Sequence, residues 1–179
     1  RGAAQLREPP RPTYSDGKGI SLFTDRQIPA DYIKAKAQAG EMRSALYAIA
    51  IKTNHGLEFQ PPQAEDLKAL AAAEKELGRR RPAWEKANVL PTERIPLGDK
   101  TREPTVRGIT TWADMFSPRQ LLCFGVLVEE LNNMRSEITR AEGFEAGEAI
   151  LHVLAAALDK ATNWNSILAS WNAPYATLR

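Results

Sequence analysis

Apolar positions recur along this chain with two periods, one helical and one of strands. Between Gln63 and Leu77, the residues Leu67, Leu70, Glu74 and Leu77 form one stripe of a helix. Pro61-Pro62 precedes it, Glu65 and Asp66 fall in its first turn, and Gly78 follows. The spacing and punctuation predict an amphipathic helix over 63–77, stopped by the glycine. The segment MFSPRQLL carries the sharpest start signal. Ser117 can cap a helix, Pro118 suits the first helical position, and Gln120 completes a capping box. Phe116 and Leu121 sit where a hydrophobic staple needs them. This helix is expected to run to about Ala141, before Gly143, with its apolar first half in the core. A second long helix is expected from Glu145 to Ala169. Ile150, Leu154, Ala157, Leu158, Ala161, Asn165 and Leu168 fall on one of its faces. Two long helices joined by a short link containing glycine predict an antiparallel pair.

The amino-terminal part has shorter periods. Residues 1–19 are rich in Pro, Gly and charge and read as a flexible arm. Residues 20–24 suit a short strand, and Ala30–Gly40 a short alanine-rich helix ending at the glycine. Residues 43–53 and 56–60 flank Asn54-His55-Gly56, a sequence suited to a tight hairpin. Ala45–Ile51 is apolar on both faces, as a buried strand would be, and a continued helix is the competing assignment. Residues 79–110, charged and broken by prolines, read as an irregular connection. The expected architecture is α+β: a flexible arm (1–19), a small α+β part with a β-hairpin (20–78), a basic irregular connection (79–110) and a helical hairpin (111–179).

Charge changes this picture. The 179 residues hold 24 basic and 22 acidic side chains, for a net charge of +2. That excludes a polybasic nucleic-acid wrapper but not a local basic face. Residues 1–78 carry +1, 79–119 carry +4 and 120–179 carry −3. The excess lies in the middle connection, where Arg79, Arg80, Arg81, Lys100, Arg102, Arg107 and Arg119 are candidates to follow a DNA phosphate backbone. A solvated loop is the competing reading of the same charges.

Candidate chemistry is sparse. One cysteine, Cys123, excludes a disulfide framework and a cysteine-clustered zinc site, and it reads as a small buried residue. The two histidines stand far apart. His152 reads as a structural residue beside the core stripe and His55 as an exposed turn residue. No metal site and no catalytic set is expected, since Gly-rich cofactor loops, HExxH and GxSxG are missing. Trp164, Asn165, Ser166, Trp171 and Asn172 cluster near the carboxy terminus. They could lock a helix end by burial, or offer a polar and aromatic surface to a nucleotide. The longest apolar run, Leu121–Val128, is too short to cross a membrane. A cytoplasmic protein without a membrane partner is expected, and terminal residues Arg1 and Arg179 suggest a piece of a longer chain.

Three segments resemble one family. GITTWADMFSPRQLL is similar to the Trp-Gly/Ala-Asp-Leu/Met-Phe-Thr/Ser-Pro-Arg-Gln-Leu segment of predicted adenine-specific DNA methylases that carry a zinc-ribbon insertion. LAAALDKATNWNSILASWN resembles that family's Ala-Leu-Asp-Lys/Arg…Asn-Ser…Trp segment. QIPADYIKAKAQAGEM resembles its Ile-x-x-Asp-Tyr-Ile-Lys stretch. The matches come in the family's order and frame residues 27–172. In the family this region is an insertion between the cofactor-binding and Pro-Pro-Tyr catalytic motifs.

The resemblance therefore implies part of a DNA adenine methyltransferase of a restriction-modification or phage-defence system. S-adenosylmethionine would be bound elsewhere in the parent chain. This segment's partners would be DNA and the rest of that chain. By itself it would hold no cofactor and no catalytic residue. Asn172-Ala173-Pro174-Tyr175 is similar to the catalytic motif, yet Ala173 replaces its first proline and a helix, not a strand, is expected before it. It reads as a chance match. Gly17–Gln27 stands where the family often has zinc-binding cysteines, and it holds none. The alternative reading is a non-enzymatic helical interaction module that docks through the 121–138 and 150–168 faces.

Overall fold

The computed structural model describes residues 13–15, 18–21, 23–54, 56–172 and 177–178. The class is α+β, as the sequence predicts. The chain divides into two compact units, each discontinuous. The first comprises Arg1–Ala64 and Ile95–Thr110, and the second comprises Glu65–Arg94 and Thr111–Arg179.

In the first unit, β1 (Tyr14–Ser15), β2 (Lys18–Ile20) and β3 (Gln27–Pro29) form an antiparallel sheet with Gly19 opposite Ile28. Two strands thus reach into the segment expected to be an arm, and β2 ends at Ile20, short of the expected 20–24. The rest of the arm lies outside the described residues. Pro29 is extended (φ −62°, ψ 145°) and leads directly into α1 (Ala30–Gln38). This helix packs on β2 because Gly19 has no Cβ: one placed there would lie 3.1 Å from Ile33 Cδ1. Gly40, at φ +70°, ends it as the sequence predicts. The amides of Gly40 and Glu41 turn back onto the Ala37 and Lys36 carbonyls, a Schellman closure.

The expected hairpin is present as β4 (Ile49–Thr53) and β5 (Gly56–Gln60), with Thr53 opposite Gly56 across a two-residue turn. It is shorter than expected. Residues 43–48 have no regular structure, and Ile51 is exposed, not buried. A two-stranded ribbon buries a face only when another layer covers it. The expectation for His55 lies outside the described residues.

Residues 95–110 close the first unit. Ile95 is buried, and its amide bonds the Thr110 carbonyl at 2.9 Å. The short α3 (Arg102–Thr105) follows. Gly108, at φ +82°, lies where a Cβ would meet the Ala37 carbonyl oxygen at 2.3 Å, and Gln38 Nε2 donates to the Val106 carbonyl at 3.0 Å. These contacts hold the segment against the end of α1.

In the second unit, α2 spans Ala64–Lys86 and passes through Gly78 and Pro82. The predicted stop at Gly78 is therefore wrong, and the expected 79–110 connection is helical for its first part. Pro82 forfeits only the bond to the Gly78 carbonyl, which is exposed to water. Beyond it, Trp84 is 3% exposed, and its burial rewards the extra turns. The true stop is Asn88, at φ +53°. The Asn88 and Val89 amides bond the Glu85 and Trp84 carbonyls, a Schellman motif with asparagine at the left-handed position.

The core gathers Leu77, Trp84, Val89, Leu90, Ala113 and Leu121, with Phe116, Leu122, Val126 and Val128 packed against it. Leu67, at the start of the predicted stripe, is exposed. A 3₁₀ turn at Trp112–Met115 leads into α4 (Pro118–Glu142). The Ser117 amide and hydroxyl both donate to Gln120 Oε1, at 2.9 and 2.7 Å, so the predicted capping pair forms. Gly143 joins α4 to α5 (Phe144–Trp164). The two run antiparallel: Gly147 fits against Thr139, and Arg135 pairs with Glu148 at 2.6 Å.

The second helix ends at Trp164, before the predicted Ala169. Asn165 leaves helical geometry, and the Ile167 amide is drawn to the Met115 carbonyl at 2.8 Å. The strand pair β6 (Trp171–Asn172) and β7 (Thr177–Leu178) follows.

The predicted face of α5 is also turned. Leu151 and Gly147 are buried, whereas Ile150, Val153 and Leu154 are exposed. Cys123, expected inside, is exposed on α4, and so is His152 on α5, whose Nδ1 lies 2.7 Å from the Glu148 carbonyl.

Candidate functional site

The seven predicted phosphate-binding cations fall into two groups. Lys100, Arg102 and Arg107 belong to the first unit, and Arg79, Arg80, Arg81 and Arg119 to the second. They do not lie on one irregular segment.

Most of the second group is committed to carboxylates. Arg79 and Arg80 both bond Glu76, Arg80 also reaches Glu129 at 2.9 Å, and Arg81 pairs with Glu85 at 2.7 Å. Hydrogen bonds from Arg79 and then Arg80 lower the Glu76 carboxyl from 4.5 to about 2. The same Glu76 bond raises the Arg79 guanidinium. Arg80 further stacks over Trp84, 5.3 Å from the ring centroid, and the Trp84 indole donates to Glu129 Oε1 at 3.0 Å. Glu76, Arg80, Trp84 and Glu129 thus tie α2 to α4. Arg107 pairs with Glu103 at 3.1 Å. Lys100, Arg102 and Arg119 are exposed.

The predicted Trp164–Asn172 surface is partly structural. Trp164 is 51% exposed, with Lys160 Nζ 5.6 Å from its ring centroid. Asn165 Nδ2 donates to the Ala161 carbonyl at 2.9 Å, and the Ser166 hydroxyl accepts from the Leu168 amide at 3.3 Å. Asn165 and Ser166 thereby fasten the chain reversal after α5. Trp171 and Asn172 form the two-residue β6, which already contains the first residue of the Asn-Ala-Pro-Tyr sequence, and the long helix α5 ends seven positions before Trp171. Ala173–Tyr175 lie outside the described residues.

Each unit carries a cavity. In the second, a half-open cleft of about 820 Å³ lies between the 88–93 loop, the 3₁₀ turn, α4 and the end of α5. Trp112, Phe116 and Phe124 supply aromatic walls, the last two in an edge-on pair at 5.4 Å. Glu93, Asp159 and Asn163 supply its polar rim, and no Lys, Arg or His among the described residues lines it. Two of the three family-like segments meet here, bridged by the Ile167–Met115 bond.

In the first unit, a cavity of about 510 Å³ lies between β2, β3 and α1. Its walls include Tyr14, Tyr32, Lys34, Lys36 and Arg107, and no Asp or Glu among the described residues. Of these, sequence reasoning had singled out only Arg107. The alternation of tyrosine and lysine in DYIKAK was the available signal, since Tyr32 and Lys36 lie one helical turn apart and meet at 5.7 Å.

Among the described residues no three His, Cys, Asp or Glu side chains gather as a metal site, and no helix is long and apolar enough to cross a membrane. Among the described residues no strand leads through a Gly-rich loop into a helix, the arrangement of dinucleotide-binding folds. In comparisons with known proteins, no family model, no curated protein and no solved structure matches this chain.

Proposed function

We propose that this chain is the insertion region of an S-adenosylmethionine-dependent DNA adenine methyltransferase, and that it holds DNA for catalytic motifs carried elsewhere in the parent chain. The supporting observation is the second-unit cleft. The TTWADMFSPRQLL and ALDKATNWNSIL segments, which carry the family resemblance independently, line it together. The Ile167 amide bonds the Met115 carbonyl at 2.8 Å, so the two segments form one structural unit, as parts of a single insertion would. Methyl transfer and base extrusion then belong to residues outside this chain.

Sequencing the coding region on both sides tests this reading. A Gly-rich cofactor loop on one side and a Pro-Pro-Tyr motif on the other are expected. Flanks that lack both overturn it.

A helical interaction module is the second reading. Its support is the α5 face, where Ile150, Val153 (69% exposed) and Leu154 are uncovered, and the pairing of Arg79, Arg80, Arg81 and Arg107 with glutamates. Exposed apolar patches of this kind mark contact surfaces. If Val153→Glu leaves DNA binding intact but releases the chain from the rest of its parent enzyme, docking is this region's task.

A further inference from the structure

We propose that the cavity of the first unit is a nucleotide site, which takes an unpaired base of a nucleic-acid strand against Tyr14 and Tyr32 and the adjoining phosphate at Lys34 and Arg107. The proposal rests on the methyltransferase reading only in its choice of DNA as the polymer.

The two cavities have opposite electrostatic character. Among the described residues, Lys34, Lys36 and Arg107 line the first with no carboxylate beside them in its walls, and Glu93 and Asp159 line the second with no cation. A polyanion is drawn to the first and repelled by the second.

Aromatic content points the same way. Tyr14 is 47% and Tyr32 57% exposed, so each ring offers area on which a base can stack. Stacking needs no particular base, because every base has a π face. Lys36, at 5.7 Å from the Tyr32 centroid, adds a cation beside the same ring. An unpaired base fits a concave, tyrosine-walled cavity, whereas the bases of an intact duplex are covered by their neighbours.

The cations are available. Lys34 is exposed and makes no ion pair among the described residues. Lys36 and Arg107 hold Glu41 and Glu103 in exposed pairs. Such pairs are worth at most about 1 kcal/mol and yield readily to a phosphate. Arg107 is also placed before any ligand arrives: Gly108 lies against Ala37, and Gln38 grips Val106.

Fluorescence anisotropy on the 179-residue chain tests the proposal, with a labelled single strand of about twelve nucleotides and the duplex of the same sequence at low salt. The strand is expected to bind more tightly than the duplex. Tyr32→Ala is expected to weaken it roughly ten-fold, and Tyr32→Phe to keep most of the binding. Lys34→Ala should lower the slope of log affinity against log salt by about 0.7. Glu103→Gln, which frees Arg107, should tighten binding, and Asp159→Asn in the other cavity should change nothing. A strand that does not bind, a duplex that binds better, or wild-type affinity in both Tyr32→Ala and Lys34→Ala overturns the site. The flanking sequence decides the family separately, so failure here leaves that reading standing, and the reverse also holds.

Discussion

The Trp84 ring occupies the space that a side chain at Gly125 would need. A Cβ built on Gly125 falls 2.3 Å from Trp84 Cζ3, well inside van der Waals contact. Glycine is a poor helix former, so its place in the middle of α4 has a packing cause: it lets a tryptophan from α2 lie against the helix backbone.

Gly125→Ala is therefore expected to destabilise the second unit, although alanine favours helix by about 1 kcal/mol. Overpacking of this kind costs roughly 1–3 kcal/mol, and here the ring has no flexible end with which to retreat. Denaturant unfolding followed by tryptophan fluorescence measures the difference. A variant as stable as the parent would mean that Trp84 is free to move.

Glu129 accepts from both Trp84 and Arg80. Glu129→Ala is expected to cost about 1 kcal/mol, mostly through the indole N–H left without its partner beside the core. In a double-mutant cycle of Arg80 with Glu129, the coupling should be at most about 1 kcal/mol, because both side chains are about one-third exposed. A coupling several times larger would show that this tether is drier than its exposure indicates.

The Glu76 carboxyl, held at about 2 by Arg79 and Arg80, defines a pH window. Its folded value is depressed below the ordinary 4.5, so its contribution is complete above 4.5 and is lost as pH falls through about 2. A side-chain carboxyl titration by NMR should find Glu76 still ionised at pH 3, and Arg79→Ala with Arg80→Ala should return it toward the normal value. An ordinary titration in the parent chain contradicts the pairing.

Ser117→Ala and Gln120→Ala remove the two ends of the α4 cap. Each is expected to cost about 1 kcal/mol, and the pair together less than the sum, since either one removes the bond from the Ser117 hydroxyl to Gln120 Oε1. Thermal unfolding of the three variants measures this.

Cys123, exposed on α4, should react with a thiol reagent in the native chain at a rate close to that of the unfolded chain. Strong native protection would put it back in the interior that its residue type suggested.

Element type was legible in the sequence where a local rule acts alone. Ser117-Pro118 started α4, Gly40 ended α1, and Asn54-His55-Gly56 placed the hairpin. The failures have a common cause in tertiary contacts that override local signals. Gly78 looked like a helix stop, but a stop also needs a residue that leaves helical geometry, and Trp84 had reason to stay helical until Asn88. The α5 face was misjudged because Ile150 and Leu154 outweigh Leu151 in hydrophobicity, while the small Gly147 decides which side can approach Thr139. The pairing of Arg79 and Arg80 was not legible, because a count of charges along the chain does not show that Glu76 and Glu129 lie against them. Tyr14 and Arg107 share one cavity although a long stretch of chain separates them, and periodicity carries no information about such a meeting.

The discontinuity of both units bears on how the protein is made. A ribosome releases Trp84 well before Glu129, 45 positions later, and at about 5–20 residues per second that interval lasts roughly two to nine seconds. The first unit is likewise unfinished until Ile95–Thr110 has emerged. During synthesis the indole and the basic end of α2 have neither Gly125 nor Glu129 to meet. Any premature stop before α4 therefore leaves Trp84 and Leu77, the buried residues of α2, without the α4 side chains that cover them.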